Sequence, residues 1–158
     1  MTTQADLTFE SELWDTAVQL RGTVAPADYK HYVLPLLFLR YLSLRYEQRY
    51  EQLKAELHDP RSEYYTGDPE IDAETLADPT EYERFNIYTV PEEASWAYLR
   101  RNARADDIKV KLDRAMQVLE ETHPKLVGVL PRIYTQSNLD ADQVAGLINL
   151  FSKDVFSQ

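Results

Sequence analysis

Between Pro26 and Glu56 the sequence carries one apolar ladder that only a long helix presents on a single face. Tyr29, Val33, Leu36, Leu37, Arg40, Tyr41 and Leu44 recur at i, i+3 and i+4. Pro26 suits a first helical position, and Asp28 places negative charge in the first turn, where the helix dipole favours it. Pro35 lies inside the ladder and removes one backbone bond, so the spacing predicts a kink, or a break into two helices, near Tyr32 to Pro35. From Tyr32 to Leu39 the run is apolar all round and is expected to be buried on most sides. Beyond Ser43 the pattern turns polar, so that half is expected to project into solvent or against a partner, until Asp59-Pro60 ends it.

The other segments are shorter. Phe9 to Arg21 reads as a preceding helix, capped by Thr8 and stopped by Gly22, with Leu13, Trp14, Ala17 and Val18 at helical spacing. Glu92 to Asn102 reads as a short helix carrying Trp96 and Leu99. Asp106 or Asp107 opens a better one, with Ile108, Leu112, Ala115, Met116 and Leu119 as its apolar face. Asp140 opens the last helix, because Asp140 and Gln143 have capping-box spacing and Leu139 with Val144 fits a hydrophobic staple. Phe85 to Val90 is a strand candidate, with Arg132 to Thr135 as its possible hairpin partner. The predicted class is mainly α: a multi-helix bundle in one domain over 1–158, with a kinked long second helix, an acidic irregular arm over 60–84 and one short β-hairpin at most. Trp14, Val33, Leu36, Leu37, Leu112, Leu147 and Ile148 are the expected core.

Composition narrows the chemistry. The 158 residues include no cysteine, which excludes disulfides, thiolate metal sites and a cysteine nucleophile. His31, His58 and His123 lack ligand spacing, so no histidine-rich metal site is expected. Four glycines fall in neither GxGxxG nor GxxxxGK[ST], which argues against a phosphate loop. The polar first ten residues do not read as a secretory leader, and Tyr32 to Leu39 is too short to span a bilayer, so a cytoplasmic location is expected.

The net charge of −10 is concentrated. Asp59 to Ser95 holds eleven acidic and two basic residues, leaving the remainder nearly neutral. Within that remainder Arg100, Arg101, Arg104, Lys109, Lys111 and Arg114 form a basic cluster against Asp106, Asp107 and Asp113. Such a cluster can face phosphates or can be a solvated helix face with local ion pairs. Shared exposure on one face would favour DNA; pairing with the neighbouring aspartates would favour a protein-binding role. Arg40, Arg45, Tyr46, Arg49 and Tyr50 form a second candidate surface, because arginine and tyrosine favour interfaces. No serine sits in a GxSxG elbow, and the acidic pairs Glu92-Glu93, Asp106-Asp107 and Glu120-Glu121 do not converge as an acid/base pair must. No catalytic residue is assigned.

Several blocks in order resemble a known family. They are Glu12 to Gly22 (ELWDTAVQLRG), Ala27 to Ser43 (ADYKHYVLPLLFLRYLS), Val90 to Trp96 (VPEEASW), Gly128 to Tyr134 (GVLPRIY) and Leu147 to Ser152 (LINLFS). Together they resemble the N-terminal helical domain of the modification (M, HsdM-type) subunit of type I restriction-modification systems, from about Phe9 to Ser152. The resemblance implies a full subunit that methylates adenine N6 in DNA with S-adenosylmethionine. It also implies a specificity (S) subunit, a second M subunit and a restriction (R) subunit as partners, with double-stranded DNA in the assembled complex. The domain itself is expected to clamp DNA and touch neighbouring subunits. A standalone helical protein-binding module or regulator is the alternative. An adenine methyltransferase of this kind needs a glycine-rich turn and a Pro-Pro-aromatic motif that receives a flipped base. No Pro-Pro pair occurs here, so the chain is expected to hold no cofactor and to be inactive alone.

Overall fold

A computed structural model describes residues 29–153. The predicted helix over Phe9 to Arg21, with Trp14, lies outside these residues. The described residues divide into two compact units: one is residues 42–90, and the other combines residues 29–41 with residues 91–153. Six α-helices and two short 3₁₀ turns are described, and no strand occurs among the described residues.

Helix α1 spans Tyr29–Leu57, 29 residues, and is unbroken through Pro35, so the expected division into two helices does not occur. In the first unit α1 buries Val33, Leu36 and Leu39. Leu37, expected in the core, is only partly buried. The remaining elements of this unit are a 3₁₀ turn at Glu92–Ala94, α4 at Trp96–Arg101, α5 at Ile108–Thr122, a second 3₁₀ turn at Pro124–Leu126 and α6 at Ala141–Phe151. The expected helix over 92–102 is thus divided at Ser95. That residue is extended and caps α4 by accepting a hydrogen bond from the Tyr98 amide.

Helix α5 is the hub, packing against both 3₁₀ turns, α4 and α6. Its Ile108, Leu112, Ala115, Met116 and Leu119 are fully buried, as the apolar ladder predicts. α6 starts with both halves of a capping box between Asp140 and Gln143, and it buries Val144, Leu147, Ile148 and Phe151. Trp96 buries its ring and donates its indole N–H to the Ser152 hydroxyl at 2.9 Å, tying the start of α4 to the end of α6.

The second unit contains the C-terminal part of α1, then α2 at Pro69–Ala77 and α3 at Thr80–Glu83. The stretch expected as an irregular arm therefore holds two short helices. Asp68 caps α2, Pro69 opens it, and Glu70 and Asp72 lie in its first turn. The polar half of α1 does not project freely: Leu53 and Leu57 join Tyr82 and Ile87 in a small core, with Tyr46, Tyr50, Tyr64 and Leu76 packed on it. Local polarity obscured this stripe because aromatic rings and an arginine fill the positions between the leucines.

The candidate hairpin does not form, for reasons visible at both of its ends. Asn86 takes a left-handed conformation (φ 58°), and the Ile87 amide returns to the Tyr82 carbonyl at 3.0 Å. This is a helix-terminating turn, which Asn tolerates, and not an extended strand. In the other unit the Tyr134 and Thr135 amides donate to the Asp113 carboxylate, each at 3.0 Å, so the donors a ladder needs are already engaged.

Candidate functional site

The basic cluster lies in the first unit, on α4, on α5 and in the turn joining them. Ion pairing consumes half of it. Arg101 reaches Glu92 at 3.2 Å, Arg114 reaches Glu93 at 3.5 Å, and Lys111 reaches Asp107 at 2.9 Å. The hydrogen bond between Asp107 and Lys111 lowers the carboxyl pKa and raises that of the ammonium, each in the direction that keeps the pair charged. Lys109 has turned inward: its Nζ donates to the Ser137 carbonyl at 3.1 Å and the Leu139 carbonyl at 2.8 Å. Asp113, expected among the neutralising aspartates, pairs with no cation of the cluster. Its carboxylate accepts from the Tyr134 and Thr135 amides and from the Thr135 hydroxyl.

Arg100 and Arg104 are exposed, and no side-chain partner for either occurs among the described residues. The partners of Arg101 and Arg114 come from the Glu92-Glu93 pair at the first 3₁₀ turn. Sequence reading missed this because the pairing crosses nine and twenty-one positions and depends on how the 3₁₀ turn packs on α5.

The second candidate surface is also largely internal. Arg49 is 7% exposed; its Nε donates to the Glu81 carbonyl at 3.2 Å, its Nη2 lies 3.6 Å from the Glu81 carboxylate, and its guanidinium covers the Phe85 ring at 4.4 Å. Glu81 also receives Arg84 at 2.7 Å and the Tyr64 hydroxyl at 3.0 Å. Tyr46 packs its ring 5.0 Å from Tyr82 and 6.3 Å from Tyr50. Burial raises the Tyr46 and Tyr82 phenol pKa values, consistent with rings held in a core. In the other unit Arg40 sits 5.8 Å over the Trp96 ring. Arg45 alone of the five is exposed.

A groove of about 530 Å³ in the first unit lies between α1 (His31, Leu34, Pro35, Leu37, Phe38) and the turn Val129 to Pro131. It has no carboxylate to receive a ribose and no glycine-rich turn, so its lining does not fit S-adenosylmethionine. Among the described residues no three His, Asp or Glu side chains gather as metal ligands, and no helix is long and apolar enough to cross a membrane.

The described residues of this unit form a set of helices and 3₁₀ turns organised on α5. The model of the HsdM N-terminal domain matches residues 9–152, and the chain belongs to that family. It is the N-terminal domain of a type I restriction-modification methylase subunit. The Type I restriction enzyme MjaIX methylase subunit of Methanocaldococcus jannaschii is 38% identical over 151 residues, covering 95% of this chain and 27% of that protein. The chain thus spans about a quarter of the length of this relative.

Proposed function

We propose that this domain serves a type I restriction-modification methylase mainly as a subunit-contact element. Its partners on this reading are the specificity subunit, a second methylase subunit and the restriction subunit. Adenine methylation and S-adenosylmethionine binding belong to other parts of the methylase. The observation that carries the reading is the fate of the basic cluster: three of its six cations are in ion pairs and a fourth, Lys109, caps two carbonyls. A phosphate-binding face keeps its cations available. DNA clamping remains as a second, narrower reading, supported by Arg100 and Arg104, which are exposed at the end of α4 and just beyond it.

The test uses the assembled type I methylase. The chain is titrated, by calorimetry, against a complex of the specificity subunit and a methylase subunit lacking this domain. Saturable binding is expected, and no heat at about 100 µM would sink the contact reading. For DNA, Arg100→Glu with Arg104→Glu in the intact methylase is expected to flatten the slope of log affinity against log salt by no more than roughly 2, one unit for each phosphate left without its cation. An unchanged slope removes the clamping role.

A further inference from the structure

From Gly128 to Leu139 the chain runs back along α5 with no helix or strand of its own. Its backbone-to-backbone bonds among the described residues stay local. The Val129 amide meets the Leu126 carbonyl at 3.0 Å, and the Ser137 amide meets the Tyr134 carbonyl at 3.2 Å. The polar ties of this strap to α5 are made by three charged side chains. Lys109 donates to the Ser137 and Leu139 carbonyls at 3.1 and 2.8 Å. Asp113 accepts from the Tyr134 and Thr135 amides, each at 3.0 Å. Glu120 accepts from the Gly128 amide at 3.3 Å and pairs with Arg132 at 2.9 Å. Helical geometry puts positions 109, 113 and 120 on one stripe of α5, within about 40° of its circumference and over about 16 Å of its length. The cation faces carbonyls and the anions face amides, so the clasp grips main chain that no neighbouring ladder holds.

The strap also reaches α1. The buried Tyr134 donates its hydroxyl to the Tyr32 carbonyl at 2.7 Å, and the two rings meet edge to face with centroids 6.2 Å apart. That contact falls on a turn of α1 that lacks a backbone bond: Pro35 has no amide to give the His31 carbonyl, and an interior proline favours a bend. Helix α1 nevertheless runs unbroken from Tyr29 to Leu57. Leu130, Tyr134 and Leu139 are buried, so the closed strap is the populated arrangement.

We infer that this strap is a latch on α1. Held by Lys109, Asp113 and Glu120, it keeps the first turns of α1 in line. Released from them, it frees the Tyr32 carbonyl and lets α1 bend at Pro35. A segment without helix or ladder bonds opens locally at a lower free energy than the core elements around it. The motion involves residues 29–35 and 128–139 and leaves the packing of α5 on α6 in place.

Hydrogen exchange of the full chain, read by mass spectrometry of overlapping peptides, tests the latch. Asp113→Asn keeps the size of the side chain and removes the charge that two amides bind. It is expected to speed exchange across 128–139 by about fivefold or more, and to speed the Val33, Leu34 and Leu36 amides with it, while Leu147 and Ile148 in α6 keep their protection. Glu120→Gln, at the other end of the strap, should do the same, and it carries the test if Asp113→Asn fails to fold. Tyr134→Phe cuts only the link to α1. There the α1 amides should speed while the strap stays protected, and adding Asp113→Asn should loosen the strap with no further change in α1. Faster exchange of 128–139 with the α1 amides unmoved would overturn the latch. Equal acceleration of the strap, α5 and α6 would overturn it too, since the clasp would then be an ordinary part of the core.

Discussion

Leu36 and Leu37 are neighbours in the same apolar ladder, yet their surroundings differ. Leu36 is fully buried, whereas Leu37 lines the open groove. Leu36→Ala is therefore expected to cost about 2–5 kcal/mol, the range for a buried leucine that leaves a cavity. Leu37→Ala is expected to cost about 1 kcal/mol, nearer to a surface change. Urea unfolding of both variants checks this, and equal losses would mean that the groove is closed in solution. Tyr134 makes a pH prediction. Burial, with the Asp113 charge and Tyr32 adding to it, raises its phenol pKa well above the ordinary 10.0. The unfolded phenol ionises near pH 10 while the folded one keeps its proton, so the folded state binds more protons there. The contribution is fully present below about pH 10 and is lost as pH rises toward the folded value. Unfolding free energy measured from pH 9 to 11.5 should fall, and Tyr134→Phe should remove part of that fall. Neither contrast was legible from the residues alone, because both depend on which side chains of other segments arrive beside them.

Helices α2 and α6 owe their existence to different physics. α6 buries six side chains and carries a complete capping box. Asp140→Ala removes the acceptor for the Gln143 amide, which lies at 2.8 Å, and should cost about 1 kcal/mol. Thermal unfolding of that variant provides the measurement. α2 has nine residues and buries none of them fully. A helix that short is marginal by itself in water. Its Asp68 cap, its leading Pro69 and the Thr66–Asp72 bond at 2.6 Å are local devices. We expect α2 amides to exchange hydrogen fastest among the described helices, and protection equal to that of α5 would contradict this. The sequence signals differed accordingly. α6 was legible because cap and apolar period coincide, whereas α2 was hidden in an acidic stretch with no apolar period to mark it.

At the scale of the whole molecule, each unit has a core of its own. Leu53, Leu57, Tyr82 and Ile87 serve residues 42–90, while the cluster around α5 serves the other unit. Separate cores permit separate opening. Leu57→Ala should accelerate exchange of amides within 46–87 before those of α5 and α6, followed by mass spectrometry under native conditions. Simultaneous loss of protection everywhere would show that the two units unfold as one.

The sequence by itself determined the mainly helical class, the apolar face of α5, the capped start of α6 and much of the core, because apolar period and capping chemistry are local and act over three or four residues. It also carried the family, since its blocks keep their order and spacing along nearly the whole chain. What only the tertiary structure decided was the use of the charged residues. Glu92 and Glu93 neutralise Arg101 and Arg114, Lys109 and Asp113 hold the 134–139 segment, and Glu81 gathers Arg49, Arg84 and the Tyr64 hydroxyl. A charge is long-ranged and its side chain flexible, so its partner is whichever opposite group the packing delivers. That is why the basic cluster reads as one charged surface along the chain, while in the fold four of its six cations are tied to other groups and Arg100 and Arg104 stay exposed.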